Sequence, residues 1–162
     1  MLLLVLAGHL AALALALSGH YWWALLTLLP AAAILLWGSL WPHSPLFGPV
    51  LRRLPGNAPQ VWLTFDDGPD DDTPALLEVL ARHHARATFF LVGERAAQRP
   101  AQVRAIVEHG HDVGNHSATH PAGRFWMLTP AAYEREIASA QAVLTRLTGR
   151  TPYWFRAVAG LG

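Results

Sequence analysis

An α/β fold with a parallel sheet, preceded by two apolar helices, is the class this sequence predicts. Three observations carry that reading. Residues 1–41 hold no Asp, Glu, Lys or Arg, whereas all 23 such residues lie after residue 51, so a membrane-like front adjoins a soluble-like back. Beyond residue 60, short β-prone apolar runs alternate with stretches of helical periodicity. Gly, Pro, Asp and Thr punctuate the junctions between them. Strands separated by helices pair in parallel through right-handed crossovers, and four of them in roughly 100 residues fit an open sheet or about half of a barrel.

The front divides at Ser18-Gly19-His20. Met1 to Leu17 is almost wholly Leu, Ala and Val, and Tyr21 to Trp41 is a second apolar run. At ~1.5 Å per residue the second run reaches roughly 31 Å, enough for a bilayer core of ~30 Å, and the first about 25 Å. Trp22 and Trp23 at one end, with Trp37 and Trp41 at the other, stand where an aromatic belt places them. A cleaved signal peptide needs a basic leading region, which Met1-Leu2-Leu3-Leu4 lacks. A buried core helix needs more protein around it than a domain this small supplies. Residues 1–41 are therefore expected to form a two-helix transmembrane hairpin in contact with lipid. Five prolines between Pro42 and Pro59 mark 42–58 as a linker.

The soluble part, 59–162, opens with Val61-Trp62-Leu63-Thr64-Phe65, a strand ended by Asp66-Asp67-Gly68-Pro69. Thr73-Pro74 starts a helix with Leu76, Leu77 and Leu80 on one face. Ala87 to Val92 is the second strand, and Pro100 to Glu108 a helix stopped by Gly110. His111 to Gly114 is the third strand candidate. Thr129-Pro130 opens the longest helix, whose Tyr133, Ile137, Leu144 and Leu147 share a face, and Gly149 ends it. Tyr153-Trp154-Phe155 is the fourth strand.

Three stretches carry chemistry. Adjacent strand residues point to opposite faces, so Asp66 and Asp67 serve one site only where the strand has ended, a break expected from Gly68-Pro69. In parallel α/β folds that strand end is where ligands bind, although Asp and Gly are also ordinary turn residues. His116 and His120, four apart, are expected to present their rings to one side of a helical turn, a spacing suited to two imidazoles on one metal. With Asp67 they make a two-histidine, one-carboxylate set that leaves positions open for water and substrate. Arg156, at the end of the fourth strand, stands on the same rim, where a guanidinium can clamp a carboxylate. His9, His20, His43, His83 and His84 have no comparable partners, and His109 and His111 read as a helix end and a strand start.

In this order and spacing, TFDDGP at 64–69, HSATH at 116–120 and Arg156 resemble the polysaccharide deacetylases, the NodB-homology or carbohydrate esterase family four domain. The resemblance covers about residues 58–162 and implies a distorted (β/α) barrel, here incomplete. It further implies that Asp66 is the general base, that Asp67, His116 and His120 hold a divalent ion, zinc before others, and that Arg156 orients the base. The catalytic pair is then Asp66 and Arg156. Val158 and Ala159 stand where the family carries Pro and an aromatic. A backbone N–H at Ala159 remains available to an oxyanion. The family's later Trp-bearing wall and Leu-x-His acid have no counterpart before Gly162, so the sequence is expected to be an inactive fragment of the enzyme.

The implied reaction is hydrolysis of an N-acetyl amide on a polysaccharide or lipid-linked glycan. A non-catalytic, membrane-anchored carbohydrate-binding module is the rival reading. Phosphotransferases with an aspartyl nucleophile need Asp-x-Asp, which Phe65-Asp66-Asp67 does not give. A net charge of +1 leaves no footprint for nucleic acid, and the absence of cysteine removes disulfides and thiolate metal sites. Arg52 and Arg53 after the second span favour a cytoplasmic domain by the positive-inside rule. The family's action on envelope glycans tips the expectation slightly to the outer face.

Overall fold

The computed structural model describes residues 2–41, 44–46 and 61–158, and the chain divides into two compact units, Met1–Gly56 and Asn57–Gly162. Arg52, Arg53 and most of the expected linker lie outside the described residues, as do Ala159 and Gly160.

The first unit is a pair of helices, α1 (Leu2–Leu17) and α2 (Tyr21–Leu40). Gly19 reverses the chain at φ +82°, a left-handed conformation open to glycine at no steric cost. The N–H groups of Gly19 and His20 close α1 on the carbonyls of Ala16 and Leu15. Small residues let the helices approach: a Cβ on Gly8 would lie 3.5 Å from the Cβ of Ala31, and Ala24, Ala31 and Gly38 are the buried residues of α2. The outward faces are leucine, with Trp22, Trp23, Trp37 and Trp41 exposed. Among the described residues α2 alone is long and apolar enough to cross a membrane, and α1, at 16 residues, is shorter.

The second unit is a three-stranded parallel sheet in the order β1 (Thr64–Gly68), β2 (Thr88–Leu91), β3 (Asp112–Asn115). Between strands run α3 (Thr73–Arg82), α4 (Gly93–Gln98) and α5 (Pro100–Glu108), and α6 (Pro130–Thr148) follows β3. Sequential order with crossovers of one hand puts successive helices on one face. The core agrees: Phe89 and Leu91 of β2 cluster with Leu77 and Leu80 of α3, Ala96 of α4, Val103 and Ile106 of α5 and Leu144 of α6. Phe90 points the other way, where a Cβ on Gly114 would come within 2.6 Å of its ring.

Most boundaries follow from the expected signals. Thr129 caps α6 by accepting from the Ala132 N–H, Pro130 is its first residue, and Gly149 at φ +71° ends it. Three expectations change, and two short elements are added. β1 begins at Thr64 and runs on through both aspartates to Gly68, and Val61 is exposed. The short helix α4 and a 3₁₀ turn at Phe125–Met127 were not legible, each being too brief for a period to show. Residues 116–120 are not a helical turn, because Ser117 (φ +68°) and His120 (φ +54°) are left-handed. The fourth strand reduces to one parallel bridge, Asn115 to Phe155. Beyond that bridge the ladder is lost: Pro152 has no N–H to give, and its carbonyl accepts from the Gln141 side chain at 2.6 Å.

Candidate active site

The two aspartates reach one rim by a bulge. β1 pairs Phe65 with Phe89 and then Gly68 with Leu91, spending three steps where β2 spends two. Asp67 takes up the difference at φ +66°, a left-handed state that aspartate tolerates better than most residues. The break in alternation therefore lies inside the strand and not at Gly68-Pro69. Arg95 of α4 donates to the carbonyl of Asp67, satisfying a group that the bulge removes from the ladder.

β3 delivers the histidines. The His116 N–H extends the ladder by donating to the Leu91 carbonyl at 3.0 Å, which buries the ring against the end of the sheet. Its Nδ1–H donates to the Arg156 carbonyl at 2.8 Å. That bond fixes the tautomer and leaves the Nε2 lone pair facing Asp67. The His120 ring stands 5.0 Å from that of His116, brought there by the two left-handed residues.

Asp67 Oδ1 lies 3.2 Å from His116 Nε2 and 2.8 Å from His120 Nε2, and one donor atom from each residue falls within 4.8 Å of the others. Bonds of about 2.0–2.2 Å to a divalent ion set donors roughly 3.0–3.5 Å apart, depending on geometry. The first separation, 3.2 Å, falls in that range, and the second, 2.8 Å, lies just below it. The donor set suits a zinc-like ion: two imidazoles, one buried and one partly buried, and the half-exposed Asp67 carboxylate.

Arg156 completes the rim. Its Nη1 donates to Asp66 Oδ1 at 2.7 Å and to Thr64 Oγ1 at 2.9 Å, and the guanidinium lies 4.1 Å from the centroid of the Phe90 ring. Asp66 and Asp67 thus face different partners, one a guanidinium and the other the two imidazoles. All five residues singled out from the sequence come together.

Sequence reasoning missed Asn115. Fully buried, its Oδ1 accepts from the Ser117 N–H at 3.0 Å, while Nδ2 donates to the Ile137 carbonyl and to Gln141 Oε1 at 3.0 and 2.8 Å. It ties the histidine loop to α6. The available signal was an Asn at a strand end two residues before Ser117, the pattern of an Asx turn. Thr64 was also missed, since a threonine in a strand is unremarkable by propensity.

With this geometry in hand, the likeness to known proteins follows the site. The chain is 41% identical over 103 residues to a peptidoglycan-N-acetylglucosamine deacetylase of Bacillus cereus, covering 63% of this chain and 37% of the relative. It is 38% identical over 122 residues to a chitooligosaccharide deacetylase of a Bradyrhizobium species, covering 72% and 54%. Among solved structures, a family 4 carbohydrate esterase from Streptomyces lividans in complex with acetate superposes with a TM-score of 0.58 at 44% identity, over 62% of this chain and 51% of that one. The chain thus spans 37% and 54% of the length of these two curated relatives. The family model described as polysaccharide deacetylase matches residues 53–161, both aspartates, both histidines and Arg156 among them, and this chain belongs to that family.

Proposed function

We propose that the protein hydrolyses the N-acetyl amide of a sugar in a glycan, with Asp67, His116 and His120 holding a divalent ion, zinc before others. The observation that carries this reading is the division of labour between neighbours: Asp67 meets two imidazoles while Asp66, one residue away, is held by Arg156. When bound, the ion supplies Lewis acidity toward the acetyl carbonyl and the attacking water. Asp66 accepts a proton from that water at a carboxylate oxygen, and Arg156 fixes the direction in which the carboxylate points. His116 is held in one tautomer by the Arg156 carbonyl, so a single residue orients both the base and a ligand. The acetate held by the Streptomyces esterase is the chemical product this reaction releases. The glycan substrate, the distorted (β/α) barrel architecture, incomplete in these residues, and a membrane anchor formed by residues 1–41 belong to the same proposal, with the domain on the outer face.

The test is metal content measured beside acetate release from an N-acetylglucosamine oligomer, in the complete protein. Asp66→Asn is expected to keep its metal and lose turnover by about 10²–10⁴-fold, as for a lost general base. Asp67→Asn, His116→Ala and His120→Ala are expected to bind metal more weakly. An Asp66→Asn protein without metal, beside a loaded Asp67→Asn, would reverse the roles. Full metal and activity in all four variants would reject the reading.

A further inference from the structure

We propose that Glu136, on α6, is a positioning residue that sets the His120 half of the metal-holding loop. The case starts from where the loop's backbone groups go. Left-handed residues at 117 and 120 prevent Ser117-Ala118-Thr119 from closing helical bonds on itself. The loop is instead gripped from outside. Its Ser117 and Ala118 carbonyls accept from the Gly93 and Glu94 N–H groups at 3.0 and 2.9 Å. The Ser117 N–H goes to Asn115 Oδ1, and the His120 N–H to Ser117 Oγ at 3.1 Å. Three donors remain, and one carboxylate takes them all. Glu136 Oε2 accepts from the Ala118 and Thr119 N–H groups, each at 2.9 Å, and Oε1 from the Thr119 hydroxyl at 2.8 Å.

A carboxylate suits that place because it is acceptor-only and offers about four lone-pair sites, and because bonds to a charged acceptor are the stronger kind. α4 is thus on the carbonyl side of the loop and α6 on its N–H side. The consequence falls on His120 more than on His116. His116 has its own ring bond to Arg156. Among the described residues no hydrogen bond reaches the second nitrogen of His120, so its aim at Asp67 depends on the peptide that precedes it. Glu136 holds the N–H groups of the two residues before it, Ala118 and Thr119, and so the segment that carries that peptide. It touches neither ion nor substrate and acts through residues 118 and 119.

This inference rests on the metal reading above, and its test keeps the two apart. Zinc affinity is measured in the full protein by competition with a chelator, beside kcat and KM for acetate release at saturating zinc. Glu136→Ala is expected to weaken zinc binding by about 10–100-fold, the usual effect of removing a group that orients a ligand. Excess zinc should restore most of kcat, with KM unchanged. Glu136→Gln keeps the volume and one acceptor oxygen, and should fall between alanine and wild type. Wild-type zinc affinity in a folded Glu136→Ala protein overturns the proposal. If the alanine variant does not fold, wild-type affinity in Glu136→Gln overturns it equally. Asp67→Asn is titrated in parallel: should it too keep wild-type affinity, the ligand assignment has failed and Glu136 has no ion to serve.

Discussion

One backbone angle separates the two aspartates. Asp66 continues the strand and meets Arg156, whereas Asp67, at φ +66°, turns its carboxylate to the histidines. The residue types and their spacing were legible in the sequence, because adjacent carboxylates and His-x-x-x-His are patterns of identity. The bulge and the left-handed Ser117 and His120 were not, since no periodicity encodes a single φ. Arg156 shows how much one residue can divide its duties. Its carbonyl holds His116 and its guanidinium holds Asp66, so Arg156→Ala is expected to keep the metal and lose turnover, within the roughly 10²–10⁴-fold range of the lost base. Metal loss in that variant would mean that the side chain also holds the ligand set. His111 gives a prediction away from the site. It is buried, and among the described residues its Nε2 has no hydrogen-bond partner. Burial first, and then the charges of His109 and Arg86, lower its pKa from 6.5, against a smaller raising effect of Asp112. The unfolded chain therefore takes up this proton at a higher pH than the folded one. The group leaves stability unchanged above pH 6.5, and stability falls as pH drops from 6.5 to the lower folded value. Thermal unfolding followed from pH 7.5 to 5 should show that decline, and His111→Gln should flatten it.

At the scale of elements, the helices were legible where their ends were chemically marked. Thr129, Pro130 and Gly149 bound α6 as an N-cap, first-turn proline and left-handed C-terminal glycine should. β2 was legible because both of its faces are buried, which makes its sequence a continuous apolar run. The fourth strand, expected over Tyr153-Trp154-Phe155, shortens to one bridge, because its apolar residues Tyr153 and Trp154 are exposed and Gln141 takes the carbonyl that a ladder would use. The face of β2 and β3 opposite the helices links packing to the site. Gly114 lies directly over Phe90, and the Phe90 ring in turn lies under the Arg156 guanidinium. A methyl at position 114 cannot fit without moving that ring. Gly114→Ala is therefore expected to cost about 1–3 kcal/mol of stability, as overpacking does, and to lower turnover by displacing Arg156 from Asp66. Chemical denaturation and acetate release on the same preparation would check this. A variant that loses stability while keeping full activity would uncouple the ring from the arginine.

Taken whole, the molecule joins a uniformly apolar helix pair to a unit whose core lies on one side of a parallel sheet. α2 has 20 residues, about 30 Å of helix, which matches a bilayer core, whereas α1 at 16 residues gives about 24 Å and needs local thinning of the bilayer to cross it. Leucines around both helices are exposed, and in water such an arrangement costs about 1.5–3 kcal/mol per large side chain left unburied, which supports the proposed anchor. The protein is expected to stay in the membrane pellet through a carbonate wash, and deletion of residues 1–41 is expected to release it. Recovery of the intact chain in the wash would remove the anchor from the proposal. The number of crossings is a separate question with its own readout. If α1 and α2 both span, the N-terminus and the domain after residue 56 share a side; if α2 spans alone, they lie on opposite sides. Reporter fusions at the N-terminus and at Pro59 distinguish these outcomes, and the expected result is both reporters on the outer face. Arg52 and Arg53 pull against that result, since two arginines beside a span are retained in the cytoplasm when nothing opposes them. A cytoplasmic reporter at Pro59 would therefore reverse the orientation and direct the search for substrate to lipid-linked sugars on the inner leaflet.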